Sequence, residues 1–144
     1  MSEPLVQRFL DYLNASTSPF HAVTTAAAWL EAAGFTELPL GAEPSQLEPG
    51  TCAYLRRDGT LIAVRVGARP AAEAGFRILA AHTDSPNLRI KPQPYIRSKG
   101  YVRLGVEPYG GVLLATWPDR DLGISGRVIY RDGSEQVAAL VDLD

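Results

Sequence analysis

A histidine and an aspartate stand two positions apart, directly after an apolar run at residues 76–81. The two residues are His82 and Asp84. Side chains at positions i and i+2 of an extended segment point to the same side, so the imidazole and the carboxylate would project together. Pro86 biases the residue before it toward extended geometry and so disfavours a helix here. An imidazole beside a carboxylate suits a metal site or an acid–base pair, although this spacing also occurs by chance.

Other polar residues have plainer interpretations. His21 lies near the start of a predicted helix, where we expect a local hydrogen bond rather than a metal ligand. Asp119 and Asp121 could act as a carboxylate pair, but Arg120 between them favours a solvated or ion-paired loop. The tyrosine and two glycines at 109–111 predict a turn or bulge between strands. We therefore take His82 and Asp84 as the candidate site.

Length, charge and cysteine content limit the class of protein. The chain has 144 residues, enough for one domain or for one domain and part of a second. Its formal net charge of −2 and the lack of a Lys/Arg cluster predict no nucleic-acid partner and no membrane surface. One cysteine, Cys52, cannot form an intrachain disulfide, and no signal peptide is apparent. We expect a cytoplasmic protein without a membrane span.

The first third of the sequence predicts two helices. The first contains Pro4 in its opening turn and ends within residues 14–17, with an apolar face of Leu5, Phe9, Leu10 and Leu13. The second has Ser18 as N-cap, Pro19 at its first position and Gly34 as its stop. Its apolar stripe consists of Val23, Ala26, Ala27 and Leu30.

The remainder predicts mainly strands. A loop at 36–50 precedes a hairpin whose strands, 51–57 and 60–66, flank Asp58-Gly59. Residues 76–81 are apolar on both faces, which is typical of a central strand that delivers ligands at its carboxyl end. Residues 91–94, Lys-Pro-Gln-Pro, indicate a linker or domain boundary. Beyond it we predict strands at 101–107, 112–117, 126–131 and 136–142.

Several longer motifs, spread in order over nearly the whole chain, resemble those of the aspartyl aminopeptidase family of zinc exopeptidases. They are far more specific together than His-x-Asp alone. One departure is Pro118, where the family usually has an aromatic residue. The motifs are Ser18-Pro19-Phe20-His21, Ala81-His82-Thr83-Asp84-Ser85-Pro86, Leu88-Arg89-Ile90-Lys91, Val106-Glu107-Pro108-Tyr109-Gly110-Gly111, Thr116-Trp117-Pro118-Asp119-Arg120-Asp121-Leu122 and Gly126-Arg127-Val128.

The resemblance implies an α/β fold: part of a zinc-exopeptidase domain at residues 1–91, followed by the start of a β-rich oligomerisation domain at 92–144. It implies a two-metal aminopeptidase, with zinc or another divalent ion such as manganese, that removes Asp or Glu from peptide N-termini. His82 matches a metal ligand of the family, and Asp84 matches the carboxylate that orients this histidine. It also implies a closed homo-oligomer.

The number of possible ligands limits what this chain could do alone. A catalytic zinc needs about three protein ligands and an open position, and the chain has two histidines and one cysteine. The resemblance implies that the family's other metal ligands and its general-base glutamate correspond to positions beyond residue 144. We therefore expect an N-terminal fragment with one ligand of the site, inactive by itself. The alternative is a non-catalytic β-rich module that binds other chains through exposed strand edges.

Overall fold

The computed structural model describes residues 3–43 and 47–143. Its helices are α1 (Glu3–Asn14), α2 (Pro19–Ala32) and the short α3 (Ala71–Ala74). Its strands are β1 (Thr36–Glu37), β2 (Cys52–Arg57), β3 (Thr60–Arg65), β4 (Asn87–Ser98), β5 (Tyr101–Tyr109), β6 (Ile124–Asp132) and β7 (Glu135–Leu143), with a 3₁₀ turn at Leu114–Thr116. The mixture of helices and sheets agrees with the predicted α/β class.

The chain divides into two compact units. The first runs to Thr83 and resumes at Gly123, and the second is Asp84–Leu122. The domain boundary predicted at 91/92 falls inside strand β4 rather than between these units. The assignment of residues 92–144 to an oligomerisation domain stays a prediction.

The first unit has its core between helix α2 and a three-stranded sheet. The sheet has the order β1-β2-β3, with β1 parallel to β2 and β2 antiparallel to β3. The buried apolar residues come from one face of α2 and from the middle of β2: Ala22, Val23, Ala27, Ala53 and Tyr54. Small side chains on the helix allow this close packing against the strand.

Helix α2 begins as the sequence predicts. Ser18 is extended at the N-cap, its hydroxyl accepts a hydrogen bond from the backbone N–H of His21, and Pro19 occupies the first turn. Gly34 follows the helix with φ of 85°, a conformation that costs glycine little. Helix α1 also forms where predicted, but its apolar side chains, among them Leu5 and Phe9, are largely exposed.

Three antiparallel hairpins account for the longer strands. The predicted hairpin around Asp58-Gly59 is confirmed as β2–β3, and the last two predicted strands are confirmed as β6–β7. Strands β4 and β5 form a separate two-stranded sheet with a register shift between Ile90 and Tyr95. The predicted loop at 36–50 contains β1, and its residues 44–46 lie outside the described residues.

The predicted central strand at 76–81 is wrong. These residues form no strand in the described structure, and their large apolar side chains are exposed, with Leu79 fully so. A strand that is apolar on both faces needs neighbours to take its backbone hydrogen bonds and cover its side chains. None of the sheets formed by the described residues includes this segment, so its sequence pattern has no partner to pair with.

Two other predictions are also wrong. The linker at 91–94 lies within β4, whose two prolines fall at the register shift, where a missing N–H costs no ladder hydrogen bond. The strand at 112–117 is instead the 3₁₀ turn, in which the backbone N–H and the hydroxyl of Thr116 both donate to the carbonyl of Leu113. In the described part of the chain, no helix has both the length and the apolar character needed to cross a membrane.

Candidate functional site

His82 lies at the end of the irregular segment that follows Gly75 and is exposed. The next residue anchors it, because the Thr83 hydroxyl donates a 2.7 Å hydrogen bond to the carbonyl of Gly59. Gly59 belongs to the β2–β3 turn. A side-chain contact with a tight turn, rather than strand pairing, therefore holds this end of the segment in the first unit.

The β2–β3 turn is itself fixed from two sides. Arg127 of β6 donates a 2.6 Å hydrogen bond to the carboxylate of Asp58, and its guanidinium lies 4.2 Å from the ring centre of Phe20 in α2. A Cβ added at Gly59 would approach the Cβ of Pro19 to 3.3 Å, so the turn packs tightly against the first turn of α2. The turn that contains Gly59, which accepts the Thr83 hydrogen bond, is therefore in contact with both α2 and β6.

Asp84 opens the second unit and is partly buried. Its carboxylate accepts a 2.5 Å hydrogen bond from the hydroxyl of Tyr109, at the end of β5. The guanidinium of Arg89 lies 3.4 Å from the centre of the Tyr109 ring. The hydrogen bond to Asp84, together with the charge of that carboxylate, raises the pKa of Tyr109, and Arg89 opposes this shift.

Tyr109 and Arg89 are the functional candidates that the residue-by-residue interpretation missed. The sequence around Tyr109 predicts only a turn, although its triplet belongs to one of the motifs that carry the family resemblance. The pairing of β4 with β5 places Tyr109 opposite Asn87, close in sequence to Asp84. A contact between positions 25 residues apart depends on this register, which no local pattern in the sequence specifies.

The plainer predictions agree with the positions of the remaining polar residues. The Nδ1 atom of His21 lies 2.8 Å from the hydroxyl of Ser18, a local contact at the helix N-cap. Asp119 and Asp121 are exposed in the irregular stretch before β6. None of the three gives a reason to add it to the candidate site.

The first unit also has a concave surface between α2, β2 and the β6–β7 hairpin, which encloses a pocket volume of about 480 Å³. Its two arginines are already paired with carboxylates: Arg56 with Glu37 at 2.9 Å and Arg127 with Asp58 at 2.6 Å. Its charges are thus balanced internally, and it does not resemble an anion site.

The donor chemistry of His82 and Asp84 fits one corner of a zinc site. A neutral imidazole is a common zinc ligand, and metal-bound histidines usually donate their other ring N–H to a carboxylate or carbonyl. The two Cα atoms can lie at most about 7 Å apart, because only one residue separates them. Within residues 3–43 and 47–143, no three His, Cys, Asp or Glu side chains are grouped to hold a metal ion. The described residues therefore do not supply a complete ligand set.

Curated sequences similar to this chain are M18 aminopeptidases. The chain is 50% identical over 143 residues to a probable M18 family aminopeptidase 2 of Ectopseudomonas mendocina. The matched region covers 99% of this chain and 33% of that protein. A protein of the same name from Azotobacter vinelandii is 46% identical over the same length. The chain thus spans about a third of the length of the curated relatives that it matches.

Solved structures give the same result. The chain superposes with a TM-score of 0.89 and 38% identity on a chain in a cryo-EM structure of the Ape4 and Nbr1 complex, over 96% of this chain and 27% of the other. Yeast aminopeptidase 1 gives a TM-score of 0.87 at 33% identity, over 98% of this chain and 34% of the other. An S. cerevisiae mApe1 dodecamer gives 0.85 at 35% identity, over 96% and 33%. These likenesses confirm the α/β fold.

The resemblance seen in the motifs is confirmed by a match over residues 12–144 to the model of one protein family, described as aminopeptidase I zinc metalloprotease. That match includes His82, Asp84 and Tyr109. The chain belongs to the M18 family of zinc metalloproteases.

Proposed function

We propose that this chain is the N-terminal part of a zinc aminopeptidase that removes Asp or Glu from peptide N-termini. The observation that carries the proposal is the hydrogen-bonded carboxylate of Asp84, two positions after an exposed histidine, in a chain of the M18 family. A carboxylate fixed by a tyrosine suits the orientation of a neighbouring imidazole. The activity and the substrates are proposed from the family, because the chain spans only about a third of the length of its relatives.

In this proposal His82 binds zinc through one ring nitrogen. Asp84 accepts a hydrogen bond from the other ring nitrogen, which fixes the tautomer and raises the basicity of the ligand. Zinc, when bound, polarises the scissile carbonyl and lowers the pKa of a bound water. His82 is exposed, and we place the remaining zinc ligands and the general-base glutamate outside this chain.

Two further properties belong to the same proposal. The family resemblance supports a pair of metal ions, with manganese able to replace zinc. It also supports a preference for acidic N-terminal residues. The concave surface of the first unit does not support this preference, because both of its arginines are already paired with carboxylates. The single cysteine supports a cytoplasmic location.

A chimera tests the proposed activity. This chain replaces the matching third of the Ectopseudomonas mendocina relative, and hydrolysis of chromogenic Asp, Glu and Leu substrates is measured with added zinc or manganese. We expect hydrolysis of the Asp and Glu substrates above that of Leu. We expect His82→Ala to reduce the rate by more than about 100-fold, because losing a ligand costs more than losing its orienting partner.

The matched control is His21→Gln, which changes the other histidine at its helix-cap position and should leave most of the activity. An active His82→Ala chimera would overturn the assignment of the ligand. An inactive chimera beside an active unaltered relative would contradict the proposed activity of this chain's part. Faster hydrolysis of the Leu substrate would contradict the acidic preference alone, and hydrolysis by this chain without the relative would contradict its proposed inactivity.

Assembly with further copies is the second proposed property. Strands β4–β5 and β6–β7 form separate two-stranded sheets in the described structure, and both hairpins expose large apolar side chains, among them Tyr95, Tyr101 and Ile129. Unpaired strand edges favour association. The solved mApe1 relative is a dodecamer. Light scattering should show that this chain forms a homo-oligomer. The non-catalytic module would be favoured if a chelator left the measured mass unchanged and the chimera showed no hydrolysis.

A further inference from the structure

One polar chain links three residues of the second unit. Tyr109 donates its 2.5 Å hydrogen bond to Asp84, while Arg89 lies 3.4 Å from the centre of its ring. In the β4–β5 register, Asn87 faces Tyr109 and Arg89 faces Glu107, so Arg89 and Tyr109 are diagonal neighbours on one face of the hairpin. The sheet itself therefore sets the position of the tyrosine hydroxyl.

The backbone beyond Tyr109 holds this end of the hairpin against the segment that contains Asp84. Gly110 has φ of 65°, and a Cβ at this position would lie 3.6 Å from Pro86. Tyr109 is half-buried, and its ring is confined by the guanidinium above it. A hydroxyl on a ring confined in this way can fix the orientation of a carboxylate at little further cost in entropy.

We propose that Tyr109 is a positioning residue for Asp84, holding the carboxylate in the orientation from which it accepts the imidazole N–H of His82. The inference rests on the proposed function, in which Asp84 orients His82. Arg89 contributes by confining the tyrosine ring. Removing the Tyr109 hydroxyl takes away one hydrogen bond that orients the carboxylate, so the preference of the imidazole for one neutral tautomer weakens.

The test uses the full chain with Tyr109→Phe, which removes only the hydroxyl. The matched control is Tyr101→Phe at the other end of the same hairpin, where the ring is exposed. Two readouts are taken: the nitrogen NMR signals of the metal-free His82 imidazole in this chain, which report its tautomer populations, and the zinc dissociation constant of the chimera with the relative, measured in competition with a chromophoric chelator. Arg89→Met, which keeps the apolar stem, serves as a second variant.

We expect Tyr109→Phe to move the His82 tautomer populations toward an even mixture and to raise the zinc dissociation constant about 10-fold, the lower end of the range for groups that support a metal ligand. Arg89→Met should act in the same direction with a smaller effect, and Tyr101→Phe should leave both readouts unchanged. If Tyr109→Phe unfolds the second unit, the result from Arg89→Met decides.

Unchanged tautomer populations in a folded Tyr109→Phe variant would overturn the inference. If that variant does not fold, unchanged populations in Arg89→Met would do the same. The proposed function has its own outcome, the effect of His82→Ala on zinc affinity. If His82→Ala weakens zinc binding and Tyr109→Phe does not change the tautomer, only the inference fails. If the chimera with the relative, which supplies the remaining ligands, shows no zinc affinity that depends on His82, the proposed function fails, and the metal-free tautomer readout still decides the role of Tyr109.

Discussion

Arg127 stacks its guanidinium 4.2 Å from the ring centre of Phe20, and so joins strand β6 to the first turn of helix α2. The two residues belong to motifs near opposite ends of the chain. The same guanidinium donates to Asp58 in the β2–β3 turn, and the hydroxyl of Ser125, also on β6, donates to the carbonyl of Thr17. These contacts hold the late hairpin in the first unit, on the turn that anchors Thr83.

The first prediction concerns this contact. Arg127→Ala should lower the free energy of unfolding by at least about 0.5–1 kcal/mol, because a cation–π contact with Phe20 is lost. Arg131→Ala removes the same charge from an exposed position of the same strand and should have little effect. Denaturant unfolding of the two variants makes the comparison, and equal losses would show that the Arg127 contacts contribute nothing.

The second prediction is acid sensitivity at Asp58. The hydrogen bond from Arg127, and next its positive charge, hold the pKa of Asp58 below the ordinary carboxyl value. The native state therefore binds fewer protons than the unfolded state in this range, so the pairing stabilises the fold above about pH 4 and this stability is lost as the pH falls further. Asp58→Asn should flatten this part of the pH profile of unfolding. An unchanged acid limb in the variant would contradict the assignment.

The third prediction is alkaline sensitivity at Tyr54. This buried tyrosine donates to Glu31 at 2.5 Å and to Glu37 at 3.3 Å, and the hydrogen bond to Glu31 is the main cause that raises its pKa to about 12. The folded state therefore keeps the phenol proton above the ordinary pKa of about 10. Stability from this group is complete below pH 10 and is lost as the pH rises toward 12.

Tyr54→Phe tests this assignment by removing the hydroxyl and keeping the ring. The variant should be less stable than the parent at neutral pH, because Glu31 and Glu37 lose a donor. It should also lose the stability change between pH 10 and 12 that the parent shows. Ultraviolet titration of the parent provides the control, and a Tyr54 phenol that ionises with the exposed tyrosines would refute the prediction.

The fourth prediction contrasts two apolar residues. Val23 is 2% exposed in α2, whereas Leu79 is fully exposed in the segment before His82. Val23→Ala should cost about 2 kcal/mol through lost burial and a cavity, whereas Leu79→Ser should change stability by less than about 0.5 kcal/mol. Thermal or denaturant unfolding measures both. A large loss for Leu79→Ser would mean that this segment packs in solution.

Local signals in the sequence were sufficient for α2 and for the β2–β3 hairpin. Ser18, Pro19 and Gly34 bracket the helix through backbone chemistry that needs no distant partner, and Asp58-Gly59 marks its turn in the same way. The segment at 76–81 shows the opposite case. Its pattern predicts a strand, but a strand requires neighbours, and none of the described sheets provides one. Pairing between distant segments is not encoded in a local pattern.

The candidate site divides along the same line. His82 and Asp84 could be selected from their types and spacing, and the family motifs that contain them then gave their proposed roles. The sequence gives no role to Tyr109, because the contact of Tyr109 with Asp84 depends on the register of β4 against β5. The prolines in β4 instead predict a linker, so this strand pairing is not expected from the sequence. Only the three-dimensional pairing brings the hydroxyl to the carboxylate.

The most direct test of the zinc-ligand assignment is a zinc titration of the chimera with the relative, which supplies the remaining ligands, followed through the NMR signals of the two histidine rings that this chain contributes. We predict that the His82 ring signals shift as zinc is added, that the His21 signals stay unchanged at the helix cap, and that Asp84→Asn weakens the effect at His82. A His82 ring that does not respond to zinc, or one that responds no more than His21, would contradict the claim that His82 is a metal ligand.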